Sequence, residues 1–146
     1  MTIIDVKKQI NLMLREKYPS GEYEIYGVDT TEGYARPCFF VKLQPISMEA
    51  EGINRYNNEL TCYIDYIQDR IDEVDMLQKV EEIRKMFELY FKVGDRAIDC
   101  SNFDFDFVGQ KKNIVEISFD MQFYTAIERE ETTTMMEHIE VRHKEE

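Results

Sequence analysis

The chain has 146 residues, the usual size of a single domain, and 43% of them are hydrophobic and 12% aromatic. These values are typical of a globular protein and exclude a disordered chain. The net charge at pH 7 is −12. Because a nucleic-acid-binding surface must be positive to displace counterions, specific binding to nucleic acid is not expected.

The cysteines and the hydrophobic runs indicate the cellular compartment in which the protein is expected. Cys38, Cys62 and Cys100 are far apart and lack Cys-x-x-Cys spacing, so neither a disulfide framework nor a zinc site is indicated. Each lies in a strand-like run, where a free cysteine is usually a small buried hydrophobe. No apolar run approaches the roughly 18 residues of a membrane span, and no signal-peptide pattern begins the chain. We therefore expect that the protein does not associate with membranes and that it lies in the reducing cytosol.

Hydrophobic periodicity predicts a single α+β domain over residues 1–128, followed by a charged tail over 129–146. In chain order the predicted elements are a helix over 3–18, strands over 22–28, 34–43 and 58–68, a helix over 72–89, and strands over 96–100, 103–107 and 115–127. Residues 46–57 are irregular and charged and predict a loop. The expected fold is a mixed, mainly antiparallel sheet with two helices packed on one face and a dominant C-terminal hairpin. In the tail, Met135, Met136, Ile139 and Val141 predict either a terminal strand or a frayed end.

Both predicted helices have recognisable starts. Thr2 with Asp5 and Asp72 with Asp75 each have the spacing of an N-cap and an acidic partner three residues later. The apolar stripe of the second helix is predicted to consist of Leu77, Val80, Ile83, Phe87 and Tyr90.

The C-terminal hairpin has the clearest pattern in the chain. Phe103, Phe105 and Phe107 alternate with Asp104 and Asp106. On the return strand, alternate residues from Val115 to Phe123 are apolar, and those between them include Glu116 and Asp120. This alternation predicts a half-buried hairpin with one apolar and one acidic face.

The four acids of that hairpin, Asp104, Asp106, Glu116 and Asp120, admit two enzymatic interpretations. They could bind a hard cation, or belong to a metal-dependent nuclease, which would require a Glu-x-Lys on the return strand. The sequence instead has Glu116-Ile117-Ser118, and a solvated sheet face explains the alternation. His138 and His143 lie five apart in the tail, a spacing that suits no metal pair, and no cofactor or phosphate-binding motif is present. We therefore predict a protein that is not an enzyme, with no metal and no cofactor.

Several segments in a characteristic order resemble phage tail terminator proteins from prophages of Gram-positive bacteria. They are Arg15-Glu16-Lys17-Tyr18-Pro19, Arg36-Pro37-Cys38-Phe39-Phe40-Val41, Tyr63-Ile64-Asp65-Tyr66, Phe119-Asp120-Met121-Gln122-Phe123-Tyr124 and Met135-Met136-Glu137. The resemblance implies a structural virion protein that caps the tail tube, stops its polymerisation and faces the head-neck. It also implies hexameric rings, contacts with a tail tube protein and a head-neck connector, and location in the host cytoplasm during assembly and then in the virion tail.

A ring around DNA gives the acidic residues a role. Carboxylates that line the lumen would repel DNA and let it slide. Our hypothesis is that Asp104, Asp106, Glu116 and Asp120, or the 46–57 loop, point toward that channel. The alternatives are another head-completion or tail-tube protein, the nuclease, and a cytosolic adaptor with an acidic partner surface.

Overall fold

The computed structural model describes residues 1–27, 33–109 and 112–127. In chain order its elements are α1 (Ile3–Lys17), β1 (Glu24–Tyr26), β2 (Cys38–Glu51), β3 (Arg55–Ile67), α2 (Glu73–Met86), β4 (Tyr90–Val93), β5 (Arg96–Val108) and β6 (Ile114–Ala126). This content confirms the predicted α+β class. The predicted boundary at residue 128, the tail over 129–146 and both histidines lie outside the described residues.

The six strands form one mixed sheet in the order β1-β2-β3-β6-β5-β4. Only β1 and β2 run parallel; the other neighbours are antiparallel. The centre of the sheet is therefore β3 beside β6, two strands that are distant in sequence. The hairpin of β5 and β6 adds the predicted C-terminal half of the sheet.

Both helices pack on one face of this sheet, as predicted. Alternate residues of β6 are buried from Val115 to Phe123, and the intervening residues are only partly buried. On the helix side Phe119 stacks between Phe87 and Phe103, with ring centroids 4.9 Å apart in both pairs. Removal of these rings from water provides the main stabilisation of the core.

The helix starts are confirmed, but the end of the second helix is corrected. Thr2 and Asp5 form a reciprocal capping box on α1, and Asp72 caps α2 through the backbone N–H of Asp75. The predicted helix over 72–89 ends at Met86, and Phe87 is buried as its C-cap residue. Tyr90 begins β4 and is exposed, and Leu77 is 39% exposed, so neither belongs to the buried stripe, which includes Met76 instead.

Residues 46–57, predicted to be a loop, instead form the distal part of the β2–β3 hairpin, which we call the arm. Its two strands pair from Glu51 with Arg55 back to Ser47 with Glu59, with a bulge between Pro45 and Ser47. Most side chains of the arm are exposed, so no apolar alternation identified it as strand. The loop prediction was wrong because both sides of this hairpin face solvent.

The two short strands predicted at 96–100 and 103–107 are one strand, β5, interrupted by a bulge between Ser101 and Asp104. Asn102 at this bulge has a φ of +54°, a left-handed conformation that Asn adopts more readily than most residues. The bulge adds a residue to the strand and returns Phe103 to the core side. Residues 101 and 102, which separate the two predicted strands in the sequence, belong to this bulge.

The three cysteines are free and buried, which confirms their prediction as small core residues. Burial raises the pKa of Cys38 to about 11 and that of Cys100 to about 12. Both thiols are therefore protonated at neutral pH. Within the described part of the chain, no helix combines the length and the apolar character that crossing a membrane requires.

Candidate functional site

The sheet face that the helices leave open is strongly acidic, and we call it the acidic face. Strand register places ten carboxylates on it: Glu24, Glu49, Glu51, Glu59, Asp65, Asp99, Asp104, Asp106, Glu116 and Asp120. The same register places three basic residues there: Lys42, Lys92 and Arg55. The face is thus a broad negative surface to which all six strands of the sheet contribute.

All four acids singled out in the sequence lie on this face, in three neighbouring rows across the sheet. Asp106 is opposite Glu116, Asp104 is opposite Ser118, and Asp120 lies between Ser101 and Thr61. The structure therefore brings them together on one surface. Their predicted orientation toward a channel concerns an assembly and stays a prediction.

Asp120 is held in place by two side chains. It accepts hydrogen bonds from the Thr61 hydroxyl at 2.8 Å and from the Asn102 amide at 2.9 Å. Asn102 thus links the β5 bulge to the middle of the acidic face. The carboxylate is fixed by neutral donors, which leave its negative charge uncompensated.

Asp65 is an acidic residue of this face that the sequence reasoning did not select. It lies on β3 directly opposite Glu116, which faces Asp106 on its other side, so three carboxyl groups share one row. Like charges directly opposite one another destabilise a sheet. Burial and the charge of Glu116 raise the pKa of Asp65 to about 7, and its Oδ1 is buried without a hydrogen-bond partner. The alternation of β3 placed Asp65 on an outer face, but only the pairing of β3 with β6 puts it beside Glu116.

The described residues contain no group of three or more His, Cys, Asp or Glu side chains placed to hold a metal ion. The acidic row of Asp65, Glu116 and Asp106 is spread along the sheet, one residue per strand. The three carboxyl groups lie in line across three strands and do not surround a common point. The arrangement can repel anions over a wide surface.

A second polar cluster lies on the helix side and joins the two helices to the sheet. Lys79 is 4% exposed, and its ammonium lies 2.9 Å from Asp75 and between 5.1 and 5.6 Å from the ring centres of three tyrosines. Those rings belong to Tyr18, Tyr23 and Tyr66. Each ring face attracts the cation, so the lysine is stabilised although it is buried.

Asp75 is the centre of this cluster. It accepts hydrogen bonds from the Tyr66 hydroxyl at 2.6 Å and from the Gln68 amide at 2.9 Å, besides the contact with Lys79. Burial alone would raise the pKa of Asp75, but these hydrogen bonds outweigh burial and lower it. The cluster is satisfied within the chain, so its geometry indicates a structural role.

Taken together, the fold and the acidic face define a small α+β protein that presents a wide, negatively charged sheet surface. A sequence profile of phage tail terminator proteins matches residues 5–133. The chain therefore belongs to the phage tail terminator family, a family of structural components of the phage tail.

Comparisons with individual proteins give less information about function than the family match does. No protein of curated function matches the sequence. Eight solved chains match the structure, and one of them superposes with a TM-score of 0.49 and 14% identity. That superposition covers 90% of this chain and 99% of the other.

Proposed function

We propose that copies of this chain form a ring that caps the tail tube, stops its polymerisation and joins it to the head-neck. Membership of the tail terminator family supports this role and implies contacts with other tail or head components. The partners we propose are further copies of this chain in a hexamer, the tail tube protein and the head-neck connector. Assembly takes place in the host cytoplasm, and the finished ring stays in the virion tail. The origin in a prophage of a Gram-positive bacterium stays a prediction.

The observation that carries this proposal is the acidic face, with its ten carboxylates and three basic residues on one open side of the sheet. A ring at the top of a tail must let DNA through without holding it. Phosphates bind where lysine and arginine neutralise them, and a surface of carboxylates repels them. We therefore orient Asp104, Asp106, Glu116 and Asp120 toward the lumen.

Electron microscopy of induced lysates, with and without the gene for this chain, tests the capping role. Without the chain we expect free, filled heads beside tails of uncontrolled length, since nothing would stop tube growth. The wild-type chain supplied from a plasmid should restore joined particles with tails of uniform length. Normal joined particles in the absence of the chain would contradict the proposal.

Two further observations separate this role from the alternatives. A reconstruction of the ring that placed Asp104, Asp106, Glu116 and Asp120 on its outer rim would contradict the channel orientation. Purified chain that polymerised by itself into long tubes would indicate a tail-tube protein, because a terminator should stop at one ring.

A further inference from the structure

The outer edge of β5 is open over the second half of the strand. β4 pairs with only the first four residues of β5, and the N–H of Cys100 donates to Leu89. Beyond Cys100, no strand that the structure describes pairs with this edge. Because the bulge adds one residue, the N–H groups that point outward after it are those of Phe105 and Phe107. The N–H of Phe105 donates only locally, to the carboxylate of the preceding Asp104 at 2.9 Å.

A hydrophobic groove of about 320 Å³ lies beside this open edge, on the helix side of the sheet. It is lined by Ile71, Glu73, Met76, Phe107 and Lys112. The acidic and the basic residue of this lining cancel, so the groove has no net charge. Ile71 is 61% exposed, and Phe105, whose ring lies 6.0 Å from that of Phe107, is 43% exposed. Exposed apolar side chains beside an unpaired strand edge mark a place where another segment binds.

One side of α2 forms a wall of this groove. Met76 is buried against the sheet, and Asp75 bonds to Tyr66 on β3. Successive residues of a helix are about 100° apart, so Leu77 lies on the opposite side from Asp75 and faces β5. Val74, two positions before Met76, points away from the sheet and is 74% exposed. Leu77 therefore adds an exposed apolar side chain to the groove, and Val74 does not.

The opposite edge of the sheet is less suited to the addition of a strand. β1 covers the edge strand β2 only from Cys38 to Phe40. Beyond that pairing, Pro45 has no N–H to donate, and a bulge follows between Pro45 and Ser47. Prolines and bulges are features that prevent pairing at sheet edges. The regular open edge is therefore that of β5.

The sequence after β6 contains a segment with the pattern of an edge strand. Residues 138–142 are His-Ile-Glu-Val-Arg, in which Ile139 and Val141 alternate with polar residues. These residues lie outside the described part of the chain and beyond residue 133, where the match to the tail terminator profile ends. A strand with this alternation buries one side and leaves the other in solvent. The open edge of β5 has the same two sides, one facing the groove and the other the acidic face.

The chain is long enough for this segment to reach the edge of its own β5. β6 ends at Ala126, whereas Asp104 lies opposite Ser118, eight residues earlier on β6. Eight residues of strand and two strand spacings separate these points by roughly 28 Å. The twelve residues from Ala126 to His138 span up to about 40 Å when extended. A tether of this length keeps the segment at about millimolar local concentration, so it outcompetes the segments of other molecules in dilute solution.

We propose that residues 138–142 pair with the open edge of β5 in their own chain and add a strand to the sheet. The two apolar residues of the segment then cover Phe105, Leu77 and Ile71, and its backbone pairs with the outward groups of β5. Burial of apolar surface and backbone hydrogen bonds hold the strand in place. The charges of its glutamate and arginine cancel, so the contact needs no ion pair. The added strand keeps the β5 edge from pairing with other chains, a property that does not rest on the capping role.

Hydrogen exchange of the full-length chain, resolved by NMR, tests the pairing. In the wild type the outward amides of Phe105 and Phe107 and the amides of 138–142 should exchange slowly. Ile139→Asp with Val141→Asp would place two charges in the groove and should speed exchange of the two outward amides by more than about tenfold. Slow exchange in β6 should persist and would show that the sheet stays folded. Equal rates for Phe105 and Phe107 in the wild type and this variant would overturn the proposal.

A change in the groove tests the same contact from the other side. Leu77→Asp should speed exchange of the 138–142 amides by about tenfold, because the apolar residues of the segment lose their cover. Val74→Asp is the matched control, since it adds the same charge to the same helix outside the groove. It should leave those amides as slow as in the wild type. The proposal is wrong if both variants release the segment, or if neither does.

Dilution separates binding within one chain from binding between copies. Protection of the outward amides of β5 should be the same at high and low protein concentration, because the segment is tethered to its own sheet. Protection that disappears on dilution would overturn the pairing within one chain and place the segment on a second copy. Tail length in lysates is a separate measurement, so a failure of the capping role leaves this result unchanged.

Discussion

Asp65 makes the stability of this protein depend on pH in an unusual direction. Its pKa is raised to about 7, first by burial and then by Glu116, whereas a free aspartate in the unfolded chain titrates near 4. The folded chain therefore holds a proton that the unfolded chain releases between these values. The stabilisation from Asp65 is fully present below about pH 4 and is lost as the pH rises through about 7.

We expect Asp65→Asn to be more stable than the wild type at pH 8, by on the order of 1 kcal/mol after allowance for solvent screening. The amide keeps the shape of the protonated acid without its charge, so the difference should vanish below pH 4. Urea unfolding between pH 4 and pH 9 measures both free energies. Asp104→Asn, which removes an exposed charge from the same face, is the control. Parallel pH profiles for Asp65→Asn and wild type would refute this account of the Asp65–Glu116 pair.

Among the elements, α2 is held against the sheet by hydrogen bonds to Asp75 and contacts the end of α1 at the same cluster. Tyr66 on β3, Gln68 after it and Lys79 on α2 all donate to this one carboxylate. Tyr18, just after α1, packs its ring near the same ammonium. Loss of Asp75 would leave the buried Lys79 cation without its counter-charge and the Tyr66 hydroxyl without its acceptor, whereas the Gln68 amide would keep the Asp72 carbonyl at 2.8 Å.

Asp75→Ala should therefore lower the free energy of unfolding by about 2 to 3 kcal/mol. Denaturant unfolding of both proteins at pH 7 measures this change in the free energy of unfolding. Glu81→Ala is the matched control on the same helix, because Glu81 makes an exposed ion pair with Arg84 at 2.8 Å. That change should have a much smaller effect, since solvent screens the pair. Equal losses in the two variants would show that the Lys79 cluster contributes no more than a surface ion pair.

The elements also show where the sequence is informative and where it is not. β6 was predictable in both its span and its faces, since one side is core and the other solvent. The arm was missed because its residues, exposed on both sides, have no reason to alternate. The end of α2 was missed because Phe87 continues the helical spacing although it is a buried cap residue.

For the candidate site, the hairpin acids were predictable because they alternate with phenylalanines within one segment. The position of Asp65 beside Glu116 was not predictable, since it depends on which strand lies beside β3. That neighbour is β6, and Asp65 and Glu116 are 51 positions apart in the chain. No local pattern encodes a pairing over that distance.

At the scale of the whole molecule, the net charge is −12, and we expect its location on the surface to determine how DNA passes the protein. A variant with Asp104→Asn, Asp106→Asn, Glu116→Gln and Asp120→Asn loses four charges from the acidic face and retains its shape. We expect it to cap tails normally but to slow DNA release from the virion roughly tenfold, because the lumen would no longer repel the phosphates. Time-resolved measurement of DNA ejection in low salt tests this.

The matched control changes the same number of charges away from the acidic face. Glu16→Gln, Glu22→Gln, Asp69→Asn and Asp95→Asn give the same net charge from exposed positions. This control should release DNA at the wild-type rate. If both variants slow release equally, total charge governs DNA passage and the acidic face has no special part in it.

The central position of β6 also determines when the protein can fold during synthesis. β6 pairs with β3 on one side and with β5 on the other, and it follows every other strand that the described residues form. A nascent chain that ends before Ile114 leaves both neighbours with open edges and exposes the apolar side of each. Contacts of such long sequence separation form slowly, because the loops that close them lose much entropy. We therefore expect the sheet to fold only after β6 has left the ribosome, and products truncated before Ile114 to aggregate.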